Sequence, residues 1–110
     1  SYLPPHMHDE KIELLNILRG RVAILQFNAI GDVERVLVID EAGPLRLVDI
    51  PPQTYHTLIA LQPSAVLEVT NGPYNPQTHK QLAPWSPEEN NPKATDYRLH
   101  LESIVHNWHG

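Results

Sequence analysis

The sequence predicts an all-β protein, and three observations lead there. Short runs rich in Val, Ile and Leu recur across residues 13–70, turn signals separate them every 8–12 residues or so, and nothing of helical length and period interrupts them. Strands of this length and spacing build sandwiches and small barrels, whereas a parallel α/β sheet needs a helix between successive strands. The expected strands cover 13–18, 21–27, 35–39, 45–50, 55–61 and 65–70. Arg19-Gly20 and the stretches 29–32, 41–44, 51–53 and 62–64 divide them, each supplying Gly, Pro, Asp or Ser where the chain must reverse. Several strands are apolar at consecutive positions, Val22-Ala23-Ile24-Leu25 among them. Alternate residues point to opposite faces, so such a strand needs cover on both sides. That predicts inner strands or a sheet facing a second copy, and a homodimer is expected.

The texture changes after residue 70. Pro73, Pro76, Pro84, Pro87 and Pro92 fall within 71–92, with Tyr74 and Trp85 among them. Proline has no N–H for a sheet ladder, so this stretch is not a central strand. It reads as an ordered loop laid over the β core, with its aromatics either anchoring it or lining a ligand pocket. Beyond it, Tyr97, Leu101, Ile104, Val105 and Trp108 recur on one face of a short helix, with Thr95 or Asp96 available as cap. The organisation expected is a β unit over 1–70, a proline-rich loop over 71–94 and a C-terminal extension over 95–110.

Composition removes several function classes. The chain has 110 residues and no cysteine, so disulfide scaffolds, thiolate metal sites and cysteine nucleophiles are excluded. A formal charge of −5, with acids and bases dispersed, leaves no basic stripe for a phosphate backbone, and no nucleic-acid partner is expected. No apolar run is long enough for a spanning helix and no secretory signal opens the sequence, so a cytoplasmic protein without membrane attachment is expected. The first residue is Ser1 rather than Met, so further sequence upstream is expected. There is no nucleophile elbow and no phosphate-cradling glycine loop; catalytic residues are left unassigned.

The histidines carry the chemistry. His6 and His8 are two apart, so on an extended strand both imidazoles leave the same face about 7 Å apart along the backbone. Glu13 opens the next strand after a short connection and can bring a carboxylate to the same point. His56, at the start of a later strand behind a proline turn, would be the third imidazole. Taken singly, a His-x-His in a loop is ordinarily solvated surface and a lone His56 an ordinary hydrogen-bonded core histidine; the combination makes the case. Three histidines and one carboxylate suit one divalent transition metal such as Fe, Mn, Ni, Cu or Zn, with positions left open for water or substrate. His79, His106 and His109 read as solvated surface, and His100 is unassigned. Tyr55, Tyr74, Lys80 and Trp85 are the candidate substrate-binding groups, each of which could equally be a packing anchor.

These residues also form a recognisable pattern. His6-x-His8, Glu13 and Gly20 resemble the first metal motif of the cupins, and Pro51-x-Gln53-x-x-His56 resembles the second, with Gln53 where that pattern has glycine and Ala60 where it often ends in asparagine. The resemblance implies a double-stranded β-helix, a jelly-roll barrel, with His6, His8, Glu13 and His56 pointing into its mouth. A closer likeness covers roughly residues 2–90. Lys11-x-Glu13, Leu18-Arg19-Gly20-Arg21-Val22-Ala23, Ile50-Pro51 and His56 are similar to the WbuC-type cupins, as are Glu68-Val69, Gly72-Pro73-Tyr74-Asn75-Pro76, Lys80, Ala83-Pro84-Trp85 and Pro87-Glu88-Glu89. That family is associated with O-antigen and other surface-polysaccharide gene neighbourhoods, and its members carry a further N-terminal segment. Two functions follow as expectations: a metal-dependent enzyme, an isomerase or oxygenase, acting on a small polar molecule such as a sugar or sugar nucleotide; or a non-catalytic metal- and sugar-binding module that regulates or scaffolds. A third role, in which the metal only pins the barrel closed, is the structural alternative.

Overall fold

The computed structural model describes residues 2–71 and 81–108. Eight strands appear in it: β1 (His6–Met7), β2 (Glu13–Arg19), β3 (Arg21–Phe27), β4 (Val33–Asp40), β5 (Leu47–Ile50), β6 (Tyr55–Ala60), β7 (Ala65–Thr70) and β8 (Gln81–Leu82); helix α1 (Ala94–Asn107) follows. They form two antiparallel sheets, β4-β3-β6-β1-β8 and β5-β2-β7, and no barrel closes among the described residues. The six strands expected over residues 13–70 are all present, with boundaries moved by a few residues. Among the described residues the proline-rich stretch contributes the two-residue edge strand β8, in keeping with the missing proline donors.

Alternation explains how the sheets stack. Along β2, Glu13, Leu15 and Ile17 are buried while Leu14 and Leu18 are exposed. Leu15 and Ile17 join Val22, Ile24, Ile39, Val48 and Ile50 in a cluster between the sheets. Each such side chain, fully buried, contributes about 1.5–3 kcal/mol by leaving water. The β2–β3 connection turns at Gly20, whose φ is +86°. A Cβ there would collide with Ser64 Oγ and the Pro63 carbonyl, so no other residue fits without displacing the 62–64 turn.

The second face of β3 is where the structure resolves an open expectation. Ala23, Leu25 and Phe27 point away from the smaller sheet and pack with Ile59 and Leu101 of α1. Tyr97, Ile104 and Val105 of the helix complete that layer, so the consecutive apolar residues of β3 are covered by the chain's own helix. The helix start differs from the sequence expectation. Lys93 occupies the N-cap position without a side-chain cap, and neither Thr95 nor Asp96 serves. A turn at Asn91, whose side-chain oxygen accepts from Lys93 N and whose carbonyl accepts from Ala94 N, starts the helix earlier and leaves Asp96 in the first turn, where its charge suits the helix dipole.

The outer face of the smaller sheet has no such cover among the described residues. Leu14, Leu18, Leu47, Leu67 and Val69 stand there, each between 38% and 58% exposed. The registers Leu14↔Val69 and Asn16↔Leu47 and Leu67 place them side by side.

Candidate metal centre

The cluster is built at one end of the space between the sheets. β1 pairs with β6 at a single position, His6 opposite His56, which sets two imidazoles on neighbouring strands of one sheet. Glu13 begins β2 in the other sheet and faces them. His8 follows β1, and its carbonyl accepts from Gln53 N, which ties the histidine segment to the proline turn before His56. Gln53 has φ +59° and a side chain that donates to Asp9. It stands where the cupin pattern has glycine, and this turn does demand the left-handed conformation glycine adopts most readily.

All four side chains are buried, none more than 6% exposed. One potential ligand atom from each lies within 4.8 Å of the others. The Glu13 carboxylate bridges two rings, with Oε2 at 2.8 Å from His8 Nε2 and Oε1 at 3.0 Å from His56 Nε2. The His6 and His56 ring centroids are 4.4 Å apart, and His6 and His8 stand edge to face at 5.6 Å.

Backbone carbonyls orient two of the rings. His6 Nδ1 is 3.1 Å from the Pro4 carbonyl and His56 Nδ1 is 2.9 Å from the Thr54 carbonyl. A carbonyl only accepts, so each Nδ1 carries the proton and donates it, leaving Nε2 as the lone-pair nitrogen. For His56 that lone pair then faces a carboxylate oxygen. Two lone pairs at that separation call for a cation, a proton in the metal-free chain or a metal ion when one is bound. The donor set, three imidazoles and one carboxylate with the outer nitrogens of His6 and His56 tied to the backbone, fits a divalent transition metal. For Glu13, burial by itself raises the carboxyl's pKa, but the hydrogen bond with His56 and the charges of His56, His8 and His6 outweigh it and hold the group below its ordinary value.

The substrate-binding candidates fare differently. Tyr55 and Trp85 lie on the far side of the larger sheet from His56. The Trp85 ring packs on Phe27 at 5.0 Å and on Tyr55 at 5.5 Å, and rests against Gly31, where a Cβ would come within 2.9 Å of it. Tyr74 and Lys80 lie outside the described residues, as do His79 and His109. His100 and His106 are exposed on α1, away from the cluster. One polar neighbour escaped the sequence reading. Gln26 is buried and sits directly opposite His56 in the β3–β6 register, on the cluster's side of the sheet. Its signal was present as the single polar residue inside an otherwise apolar strand.

Residues 1–39 match a family described as a domain of unknown function (DUF6016). That stretch includes His6, His8 and Glu13 but not His56. No curated protein and no solved structure matches the chain.

Replacing both His6 and His8 with alanine is expected to abolish metal binding, read by elemental analysis of protein purified in parallel with the unaltered chain. Undiminished metal would sink the assignment. Protons compete with metal for imidazole nitrogen, so bound metal should leave as the pH falls below about 6. The Glu13 shift makes a separate forecast for the metal-free chain. A carboxyl held below its ordinary value contributes stability above that value and loses it as the pH falls through the folded-state value. Urea unfolding should therefore show stability falling as the pH drops below the ordinary carboxylate range. Glu13→Gln should flatten that slope and cost about 1–3 kcal/mol at pH 7.

Proposed function

We propose that this chain is a cupin-like metalloprotein of the WbuC type, and that it acts as a metal-dependent enzyme on a sugar or sugar nucleotide in surface-polysaccharide (O-antigen) biosynthesis. The observation that carries the reading is the meeting of His6, His8, Glu13 and His56 in one buried group, drawn from both sheets. Two stacked antiparallel sheets are compatible with a jelly-roll, and the motif residues quoted above supply the link to that family. The four side chains hold one divalent transition metal, which when bound would act as a Lewis acid toward an oxygen of the ligand. The chain's own groups do the positioning. The Pro4 and Thr54 carbonyls fix the rings, and Gln26, opposite His56, is placed to offer an amide to a ligand oxygen.

One observation favours a second reading, the non-catalytic binding module. The four ligand side chains are almost fully buried, none more than 6% exposed, which leaves little room for a substrate beside the metal. Water-proton relaxation on the Mn(II)-loaded chain separates the readings. A rapidly exchanging water on the metal, displaced by a sugar nucleotide, supports the enzyme. Metal bound without exchangeable water supports the module, and failure to retain any divalent metal overturns both.

The protein is proposed to work as a cytoplasmic homodimer. No helix among the described residues is long and apolar enough to cross a membrane. The outer face of β5-β2-β7 exposes Leu14, Leu18, Leu47, Leu67 and Val69 side by side, and a contiguous aliphatic patch of this kind marks an interaction surface. Asp49 and, opposite Ala65, Arg19 are the charged side chains on its strands' outward positions, so their charges offset and two copies of a chain with net charge −5 meet there with least repulsion. Light scattering should give a dimer mass that Leu67→Lys reduces to the monomer; a monomeric unaltered chain would contradict the proposal.

A further inference from the structure

A cavity of about 280 Å³ lies apart from the histidines, and the way β6 borders it is informative. Thr57, Leu58, Ile59 and Ala60 all line it. Successive side chains of a strand point to opposite faces, so four consecutive residues border one cavity only when it runs along the strand's edge. One edge of β6 is paired with β3 from Tyr55 to Ala60. The other is paired only at His56, with His6. Pro4 and Pro5 precede β1 and have no N–H to continue that ladder. Across the gap stand Ser64 and Val66, and β7 is itself an edge strand, paired only with β2. Among the described residues the cavity therefore separates two unpaired strand edges, one from each sheet.

The polar groups around it are mostly committed. Tyr2 donates to the Pro87 carbonyl, Thr57 to the Leu3 carbonyl and Ser64 to the Gln62 carbonyl. Arg98 of α1 is the exception. Among the described residues its buried Nε has no acceptor and it forms no ion pair within 4.0 Å, although Glu102 borders the same cavity one turn on. A buried guanidinium N–H without an acceptor is destabilising, and an incoming carboxylate would relieve that cost. Glu102 disfavours a second negative charge. The remaining walls, Leu3, Val22, Val66 and Leu101, are apolar.

We propose that this gap is a peptide-binding site. It takes an extended segment with apolar side chains, whose main chain adds a strand to the free edge of β6 and whose single carboxylate pairs with Arg98. An aliphatic acid would satisfy Arg98 but leave the strand edge unpaired; a peptide satisfies both.

The test is an amide-resolved NMR titration of the full chain with three probes: acetyl-Thr-Val-Thr-Val with a free C-terminal carboxylate, the same peptide as its C-terminal amide, and octanoate. The acid peptide should shift the amides of residues 57–60 and 64–66. The amide peptide, and the acid peptide on Arg98→Gln, should each bind at least fivefold more weakly. If that variant fails to fold, the acid-versus-amide comparison on the unaltered chain decides alone. Absence of shifts at residues 57–60 with millimolar peptide, or equal affinity for acid and amide, overturns the proposal. Octanoate binding as tightly as the acid peptide, with the same shifts, also overturns it, since the cavity would then be a small-acid pocket.

Discussion

The Glu13 carboxylate, held between His8 and His56, is the interaction on which this end of the molecule depends. A carboxylate that is 3% exposed survives burial only if its charge is met by hydrogen bonds or opposite charge. Glu13 rises from the smaller sheet, His56 and His6 from the larger, so the pairing that satisfies the charge also sets the two sheets in register. The apolar cluster behind it can tolerate some sliding, because burial of surface is non-directional. Oxygen–nitrogen distances of 2.8 and 3.0 Å leave far less freedom.

That constraint gives the molecule two unlike ends. At the histidine end the inner faces turn polar, with Gln26 and Thr70 in the rows beside His56 and Glu13. At the other end they are aliphatic, and the larger sheet's edge is left free beyond His56 because the prolines before β1 stop the ladder. The same two prolines thus have two consequences. The Pro4 carbonyl orients His6, and the missing N–H groups of Pro4 and Pro5 leave the gap beside Arg98.

Trp85 and α1 show how a third layer changes the meaning of a pattern. An aromatic in a proline-rich loop serves equally to line a pocket or to clamp the loop down. Here its ring covers Phe27, Tyr55 and the bare α-carbon of Gly31, on the face of the larger sheet opposite the histidines. The helix shares that face, so the larger sheet is covered on both sides at β3, while the outer face of the smaller sheet leaves Leu14, Leu18, Leu47, Leu67 and Val69 open among the described residues.

What the sequence by itself determined is local. Unbroken apolarity in β3 announced a strand covered on both faces, and the i, i+4, i+7 spacing from Tyr97 announced α1. The histidine and glutamate residue types pointed to a metal-ligand set, while the left-handed turn at Gln53 became visible only in the backbone. Tertiary structure decided what those periodicities cannot encode. Glu13 and His56 are 43 residues apart and on different sheets, and only the stacking of the two sheets brings them within a hydrogen bond. Whether β3 meets a second copy or its own helix, whether Trp85 faces the histidines, and which edge of β6 stays free all depend on contacts between distant segments. Periodicity along a chain reports which side chains share a face; it carries no information about what that face will meet.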